Sequence, residues 1–413
     1  MLNVEVTVSF MISTKMIDAA HLGMSGAVRK TPLVRSILLE KQLSVKYPLY
    51  LKLENLQITG SFKARGAFNK LKSVLPEAQK VGVITASAGN HAQGVAYHSK
   101  QLGIHAKIVM PETTPLVKVN STRQWDPEIV LHGETYQEAY AKALELQKQE
   151  KRIYIHAFDD EAIIAGQGTV GKEILDDEQS IQNLICPLGG GGLLAGCGLY
   201  FREKNPNSKI FAVQAEGCSN FLPSVKAGHP VTLESAQTIA DGIAVKRIGD
   251  LTFDLCRNLV NDTVLVSDEE IAAGILWLLE NERIFAEGCG GAVIAAVMKR
   301  PEILTAPSAL VVSGGNLDVN MLSRIIDRGL VRTGRLAKIE VVIPDAPGSL
   351  AKLLKVFADQ RASVVQIEHE RLFERSSLKD VYTTISLETH GPTHVQQLKQ
   401  ALMQGGWQAR FHT

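Results

Sequence analysis

Gly60-Ser61-Phe62-Lys63-Ala64-Arg65-Gly66 stands between an apolar run, Tyr50 to Leu53, and an amphipathic stretch that begins near Ser61. Such a strand-turn-helix junction is the building unit of an α/β fold. Outward from it, between about residues 50 and 330, short apolar runs alternate with longer amphipathic stretches, the habit of helices layered on a largely parallel sheet. Predicted strands are Tyr50 to Leu53, Gly82 to Ala86, Ala106 to Met110, Glu128 to Leu131, Leu184 to Pro187, Lys209 to Gln214 and Ala309 to Ser313. Four of the turns near these strands are glycine-rich or polar: GSFKARG, SAGNHAQG, GGGGLLAG and SGGN. In open α/β sheets, ligands collect at the carboxyl ends of strands, where the following helices point their N-termini.

A chain of 413 residues exceeds one ordinary core, so two or three domains are expected. Lys and Arg (44) nearly cancel Asp and Glu (43), and no basic run or basic-aromatic stripe tracks a phosphodiester backbone, which argues against a nucleic-acid partner. The five cysteines form no CxxC pair, which disfavours a zinc site or disulfide framework and fits a reducing cytoplasm. No uncharged apolar run is long enough to span a membrane. MLNVEVTVSFMISTK has no basic start and no clear cleavage site, so residues 1–13 are expected to be an N-terminal extension rather than a signal peptide.

Each turn has a plain reading beside a chemical one. A lone lysine on a helix is ordinarily a solvated charge, and Lys63 gains weight only from its neighbours. Ser87-Ala88-Gly89-Asn90-His91 follows the predicted strand GVITA, where Asn or Ser can simply cap a helix. Successive backbone N–H groups at a helix start also make an anion site suited to a carboxylate. Gly189-Gly190-Gly191-Gly192-Leu193 follows LICPL; glycines admit a phosphate close to the backbone, and the helix start adds N–H donors and a favourable dipole. A nucleotide fingerprint is the rival reading there, since it needs an acidic residue about 20 residues on and Glu216 lies near that offset. Ser313-Gly314-Gly315-Asn316 ends the apolar run ALVVS and alone reads as a strand-to-helix turn.

Glu54-Asn55-Leu56-Gln57 followed by Thr59-Gly60-Ser61-Phe62-Lys63 resembles the cofactor-lysine signature of the fold-type-II pyridoxal-phosphate enzymes, specifically the threonine and serine dehydratases. The resemblance covers nearly the whole chain from about Thr14. It implies an α/β catalytic domain over residues 14–335 with two subdomains of the tryptophan-synthase-β type. It also implies pyridoxal 5'-phosphate carried on Lys63, with Phe62 near the pyridine ring and Asn90 on the 3-hydroxyl. Gly189, Gly190, Gly191, Gly192 and Leu193 are expected on the phosphate, and Ser313 on the ring nitrogen. Glu287, in Phe285-Ala286-Glu287-Gly288, takes the place of a glutamate near the cofactor in that family. The substrate is expected at Ser87, Ala88, Gly89, Asn90 and His91, with His91 in a structural role rather than as the proton-transfer residue.

The same resemblance narrows the reaction. A hydroxyl at Ser313 cannot hold the ring nitrogen protonated as a carboxylate would, which makes a weaker electron sink suited to β-elimination. The histidine after Asn90 resembles the deaminases, and Asp241-Gly242-Ile243-Ala244-Val245-Lys246 resembles a stretch of the threonine deaminases. Ala88 lies where serine racemases carry a second serine, so the opposite-face acid is missing and racemisation is disfavoured. Glu216 marks a divalent-cation ligand of some relatives, but the acidic partner downstream is absent and no metal is expected. The implied activity is deamination of L-threonine to 2-oxobutanoate and ammonia, with some turnover of L-serine. A serine dehydratase or racemase, and a non-catalytic amino-acid sensor, are the alternatives.

After Gly329 to Lys338, read as a linker, residues 339–413 follow a βαββαβ order, the ferredoxin-like arrangement. Its expected elements are Ile339 to Ile343, Ser349 to Gln360, Ser363 to Arg371, Asp380 to Glu388, Thr393 to Met403 and Trp407 to Phe411. Asp345-Ala346-Pro347-Gly348-Ser349-Leu350 resembles the D-x-P-G-x-L turn of ACT regulatory domains, which implies an ACT-like domain over residues 336–413. An amino-acid effector such as isoleucine or valine, and a homo-oligomer, a tetramer in that family, follow from the resemblance. So does a place at the first step of isoleucine synthesis, with threonine catabolism the alternative.

Overall fold

The computed structural model describes residues 12–370 and 379–412, which form two compact units, Met1–Asp318 and Val319–Thr413. The expected extension lies outside the described residues as far as residue 11; Ile12, counted with it, is packed into the main core.

Among the described residues, the first unit holds two sheets. Its strands are β1 (Leu33–Arg35), β2 (Leu49–Leu53), β3 (Val83–Ala86), β4 (Ala106–Met110), β5 (Glu128–Leu131), β6 (Ile153–Tyr154), β7 (Asn183–Pro187), β8 (Lys209–Ala215), β9 (Asp262–Val266) and β10 (Ser308–Val312). The larger sheet runs β1-β2-β10-β7-β8-β9, parallel except for β1, and the smaller runs β5-β4-β3-β6, all parallel. Strands β2, β3, β4, β7 and β10 are apolar runs buried nearly throughout, as expected where helices cover both faces of a parallel sheet. Each predicted strand is present. The three strands not expected from the sequence, β1, β6 and β9, are two to five residues long, and each closes a sheet edge.

Helix Lys63–Ser73 is held at Arg65 by a buried charge network. Arg65 pairs with Glu54 at 2.8 Å and Glu173 at 2.7 Å, while Lys52 reaches Glu173 at 2.7 Å; all four side chains are at most 4% exposed. Charges so far from water are tolerable only because they are paired and hydrogen-bonded, Arg65 donating also to the Thr169 hydroxyl and Lys52 to the Thr31 carbonyl.

The second unit opens with helix Val319–Arg332 and continues through β11 (Leu336–Pro344), helix Ser349–Asp359, β12 (Ser363–Glu370), β13 (Asp380–Glu388), helix Pro392–Gln404 and β14 (Ala409–His412). Its sheet is antiparallel in the order β12-β13-β11-β14, the ferredoxin-like βαββαβ arrangement. Strand β11 alternates buried Ala337, Ile339, Val341 and Ile343 with more exposed neighbours, so one face packs on Leu353, Phe357 and Leu398. The stretch read as a linker is helix to Arg332, a turn through Gly334, and strand from Leu336. Its periodicity breaks because a helix stops and a strand starts within four residues. Arg371, expected as the end of the β12 strand, lies outside the described residues.

Candidate active site

Strands β2 and β10 pair in parallel with Val312 beside Leu53, so the turns that follow them emerge together. The Gly315 amide donates to the Gly60 carbonyl at 2.9 Å, and Ser61 bridges Gly314. From the smaller sheet, β3 delivers Ser87 to Asn90; from the larger, β7 delivers the four-glycine turn. Phe62, Lys63, Ser87, Ala88, Gly89, Asn90, His91, Gly189 through Leu193, Glu287 and Ser313 all line one cavity of about 680 Å³. The turns singled out by sequence are thus brought together at the carboxyl ends of strands from both sheets, where an α/β ligand is expected.

Lys63 begins its helix, and its Nζ donates to the Ala157 carbonyl at 2.8 Å and lies 5.1 Å from the centre of the Phe62 ring. Burial pulls its ammonium down to about 8 from the ordinary lysine value, against the opposing charges of Cys289 and Glu287. An amine so placed is a usable nucleophile and base near neutral pH.

The glycine turn feeds helix Gly192–Lys204 with Gly191 in the left-handed region at φ 95°. A Cβ on Gly190 would fall 2.3 Å from the Phe158 ring, so nothing larger fits without moving that ring. Helix N–H groups of the first turn have no intrahelical acceptor, and here they open on the cavity with the positive end of the dipole. A monoanionic or dianionic phosphate suits this cradle.

Asn90 is the first residue of helix Asn90–Gln101 rather than its cap. The Ser87 hydroxyl instead accepts from the Gly89 and Ala92 amides, each at 3.3 Å, and braces the turn. His91 turns its Nε2 to the Ile155 carbonyl at 3.1 Å, and burial lowers its pKa to about 3, so the ring is neutral and held by the fold. Glu287 is buried against Asn90, whose amide nitrogen lies 2.9 Å from both carboxylate oxygens; burial pushes this carboxyl up. The Ser313 hydroxyl is buried with no protein partner, an orphan that a ring nitrogen would satisfy. With an amine, a phosphate cradle and an orphaned hydroxyl on one cavity, the residues present fit pyridoxal phosphate.

The family model for pyridoxal-phosphate dependent enzymes matches residues 24–314. The chain belongs to that family. Relatives of this pyridoxal-phosphate-dependent enzyme include an L-threonine ammonia-lyase of Thermotoga maritima, 40% identical over 97% of this chain and 100% of the relative. Another is the L-threonine dehydratase biosynthetic IlvA of Bacillus subtilis, 37% identical over 89% of this chain and 88% of the relative. Among solved structures, the processed form of threonine deaminase isoform 2 from Solanum lycopersicum superposes with a TM-score of 0.72 at 37% identity, covering 76% of this chain and 92% of that one. Maize serine racemase superposes with a TM-score of 0.72 at 30% identity, covering 78% and 98%.

Several cavity residues of this enzyme escaped the sequence reading. Tyr136 and Tyr140 line it from a helix whose pattern is that of any amphipathic surface helix. Lys118 lines its wall and pairs with Asp241, which opens the quoted Asp241 to Lys246 stretch, and Phe158 backs the glycine turn. The signals for these lie in tertiary packing alone. Asn316 had a signal: it closes the quoted SGGN turn. Glu216, considered as a cation ligand, pairs with Lys299 at 3.0 Å.

Proposed function

We propose that this enzyme deaminates L-threonine to 2-oxobutanoate and ammonia by β-elimination of water, using pyridoxal phosphate held on Lys63, and accepts L-serine as a lesser substrate. One juxtaposition carries the reading: Lys63, Ser313 and Ala88 line the same cavity. Lys63 supplies one base; Ala88 offers no hydroxyl from which a second could act, which disfavours racemisation.

Pyridoxal phosphate bound there supplies the electron sink that makes the substrate's Cα proton removable. Lys63, whose basicity burial has lowered, takes that proton. The Ser87 to Asn90 turn offers backbone N–H groups to the substrate carboxylate, and the glycine turn holds the phosphate through its helix start. Ser313 meets the ring nitrogen with a neutral hydroxyl, which favours loss of the β-hydroxyl over longer-lived carbanion chemistry. The threonine ammonia-lyases and dehydratases named above favour threonine as the substrate and the first step of isoleucine synthesis as the setting.

The remaining assignments belong to the same proposal. Residues 14–335 form the catalytic domain after an extension of 13 residues, and residues 336–413 form an ACT-like domain that takes an amino-acid effector such as isoleucine or valine. The enzyme works in the cytoplasm as a homotetramer. Among the described residues no helix is long and apolar enough to cross a membrane.

The test is steady-state turnover of the holoenzyme with L-threonine and L-serine, following keto-acid and D-serine. A higher kcat/KM for threonine with no D-serine supports the reading; no 2-oxobutanoate from threonine, or accumulation of D-serine, overturns it. Isoleucine added at low threonine should change the rate or its cooperativity, and no change would remove the effector from the proposal.

A further inference from the structure

We propose that Asn316 is a positioning residue for the reaction: with Glu287 it locks the Asn90 side-chain amide in one orientation, so that the donor and acceptor ends of that amide cannot exchange. The inference rests on the reading of Asn90 as a partner of the cofactor's 3-hydroxyl.

The polarity of the chain of contacts is set at both ends. The Asn316 side-chain nitrogen donates to the Thr59 carbonyl at 2.8 Å, and a backbone carbonyl can only accept. The same nitrogen lies 2.7 Å from the Asn90 side-chain atom, which must therefore be oxygen. At the other end the Asn90 nitrogen lies 2.9 Å from both oxygens of the Glu287 carboxyl, a placement that suits the donor end of the amide. Turned over, the Asn90 amide would set nitrogen against nitrogen at one end and oxygen against carboxylate at the other. Two hydrogen bonds would become two repulsions, which no rotamer of Asn90 alone relieves.

Four separate segments supply this lock: the turn before Lys63, the start of helix Asn90–Gln101, the turn after β10, and Glu287 at the cap of helix Gly288–Lys299. The fit is close. A Cβ built on Gly60 would lie 2.4 Å from the Asn316 side-chain oxygen, so the glycine three residues before Lys63 makes room for it. The Asn90 oxygen accepts from Asn316, so its nitrogen, held on Glu287, is the end of the amide that can donate. A donor of fixed orientation beside the cofactor oxygen tunes the cofactor's electronics as well as its seat.

The test compares holoenzymes carrying Asn316→Leu, similar in size without donors, Asn316→Asp, the same shape with reversed polarity, and Asn316→Ser, which keeps a donor. Three quantities are read: the visible absorption band of the cofactor and its pH midpoint, the apparent Kd from titrating apoenzyme with pyridoxal phosphate, and kcat and KM separately. The proposal expects the Leu and Asp variants to lose about tenfold in kcat with KM within about threefold, and to move the band's pH midpoint, with Ser recovering much of the loss. Should the Leu variant fail to fold, the Asp variant decides alone. A wild-type band, pH midpoint and kcat in a folded Asp variant overturns it. Failure of the cofactor reading is distinguishable, because the unsubstituted enzyme would then show no band and no borohydride-labelled Lys63.

Discussion

The Phe62 amide donates to the Ser313 carbonyl across 3.1 Å, which ties the residue before Lys63 to the residue proposed on the ring nitrogen. Lys63 and Ser313 lie 250 residues apart in sequence, yet adjacent parallel strands β2 and β10 deliver them as one backbone unit. Distances across the ring are thereby set by sheet pairing, a rigid element, rather than by loops.

Ser313 separates function from stability. Its hydroxyl is buried without a protein partner, so Ser313→Ala removes no internal hydrogen bond. The apoenzyme's unfolding free energy is expected to stay within about 1 kcal/mol of the parent. The holoenzyme's kcat should fall several-fold, and the cofactor band should shift. Urea unfolding of apoenzyme beside holoenzyme kinetics checks both halves; a large loss of apoenzyme stability with kcat unchanged would refute the assignment.

The lowered basicity of Lys63 makes cofactor loading depend on pH. Only the neutral amine attacks the aldehyde, and with a value of about 8 its neutral fraction rises steeply below that pH and levels off above it. The second-order rate of apoenzyme reconstitution should climb about tenfold from pH 7 to 9 and then flatten. An ordinary lysine would keep climbing to above about pH 10. Stopped-flow mixing of apoenzyme with pyridoxal phosphate distinguishes the two profiles.

Gly190→Ala drives a methyl to 2.3 Å from the Phe158 ring. The ring or the turn must move, at a cost of about 1–3 kcal/mol. Because the turn is the proposed phosphate cradle, the apparent Kd for pyridoxal phosphate is expected to rise about tenfold or more. Trimming the ring in a Gly190→Ala/Phe158→Ala double variant should restore part of the affinity, and additive losses would show that the two do not interact.

Much of this was legible in the sequence because the information was local. Buried parallel strands such as Leu184 to Pro187 read as apolar runs, and the turns with Lys63, Asn90, Gly189 and Ser313 carry residue types that backbone geometry and anion binding demand. Edge strand β6 was not legible: two residues, Ile153 and Tyr154, make no pattern. Nor was the boundary near residue 330, where a helix ends at Arg332 and a turn through Gly334 leads at once into β11, mimicking a linker. Tyr140 and Lys118 reach the cavity through packing of helices whose sequences suit plain surface, and Asn316 shows its role only when Thr59 and Asn90 are seen beside it.

Arg65→Met leaves Glu173 paired with Lys52 but takes from buried Glu54 the cation it pairs with. Stranding a buried carboxylate costs about 3–5 kcal/mol, so the apparent unfolding midpoint should drop sharply. Replacing only a surface pair such as Arg247 with Asp250 should cost under about 1 kcal/mol. Parallel urea titrations of both variants check the contrast.

Borohydride reduction of the holoenzyme followed by peptide mapping decides whether Lys63 carries the cofactor. The label is predicted on the peptide containing Gly60 to Gly66, at Lys63, with loss of 2-oxobutanoate formation in step with labelling. A label on a different lysine, or full labelling with activity retained, would contradict the account.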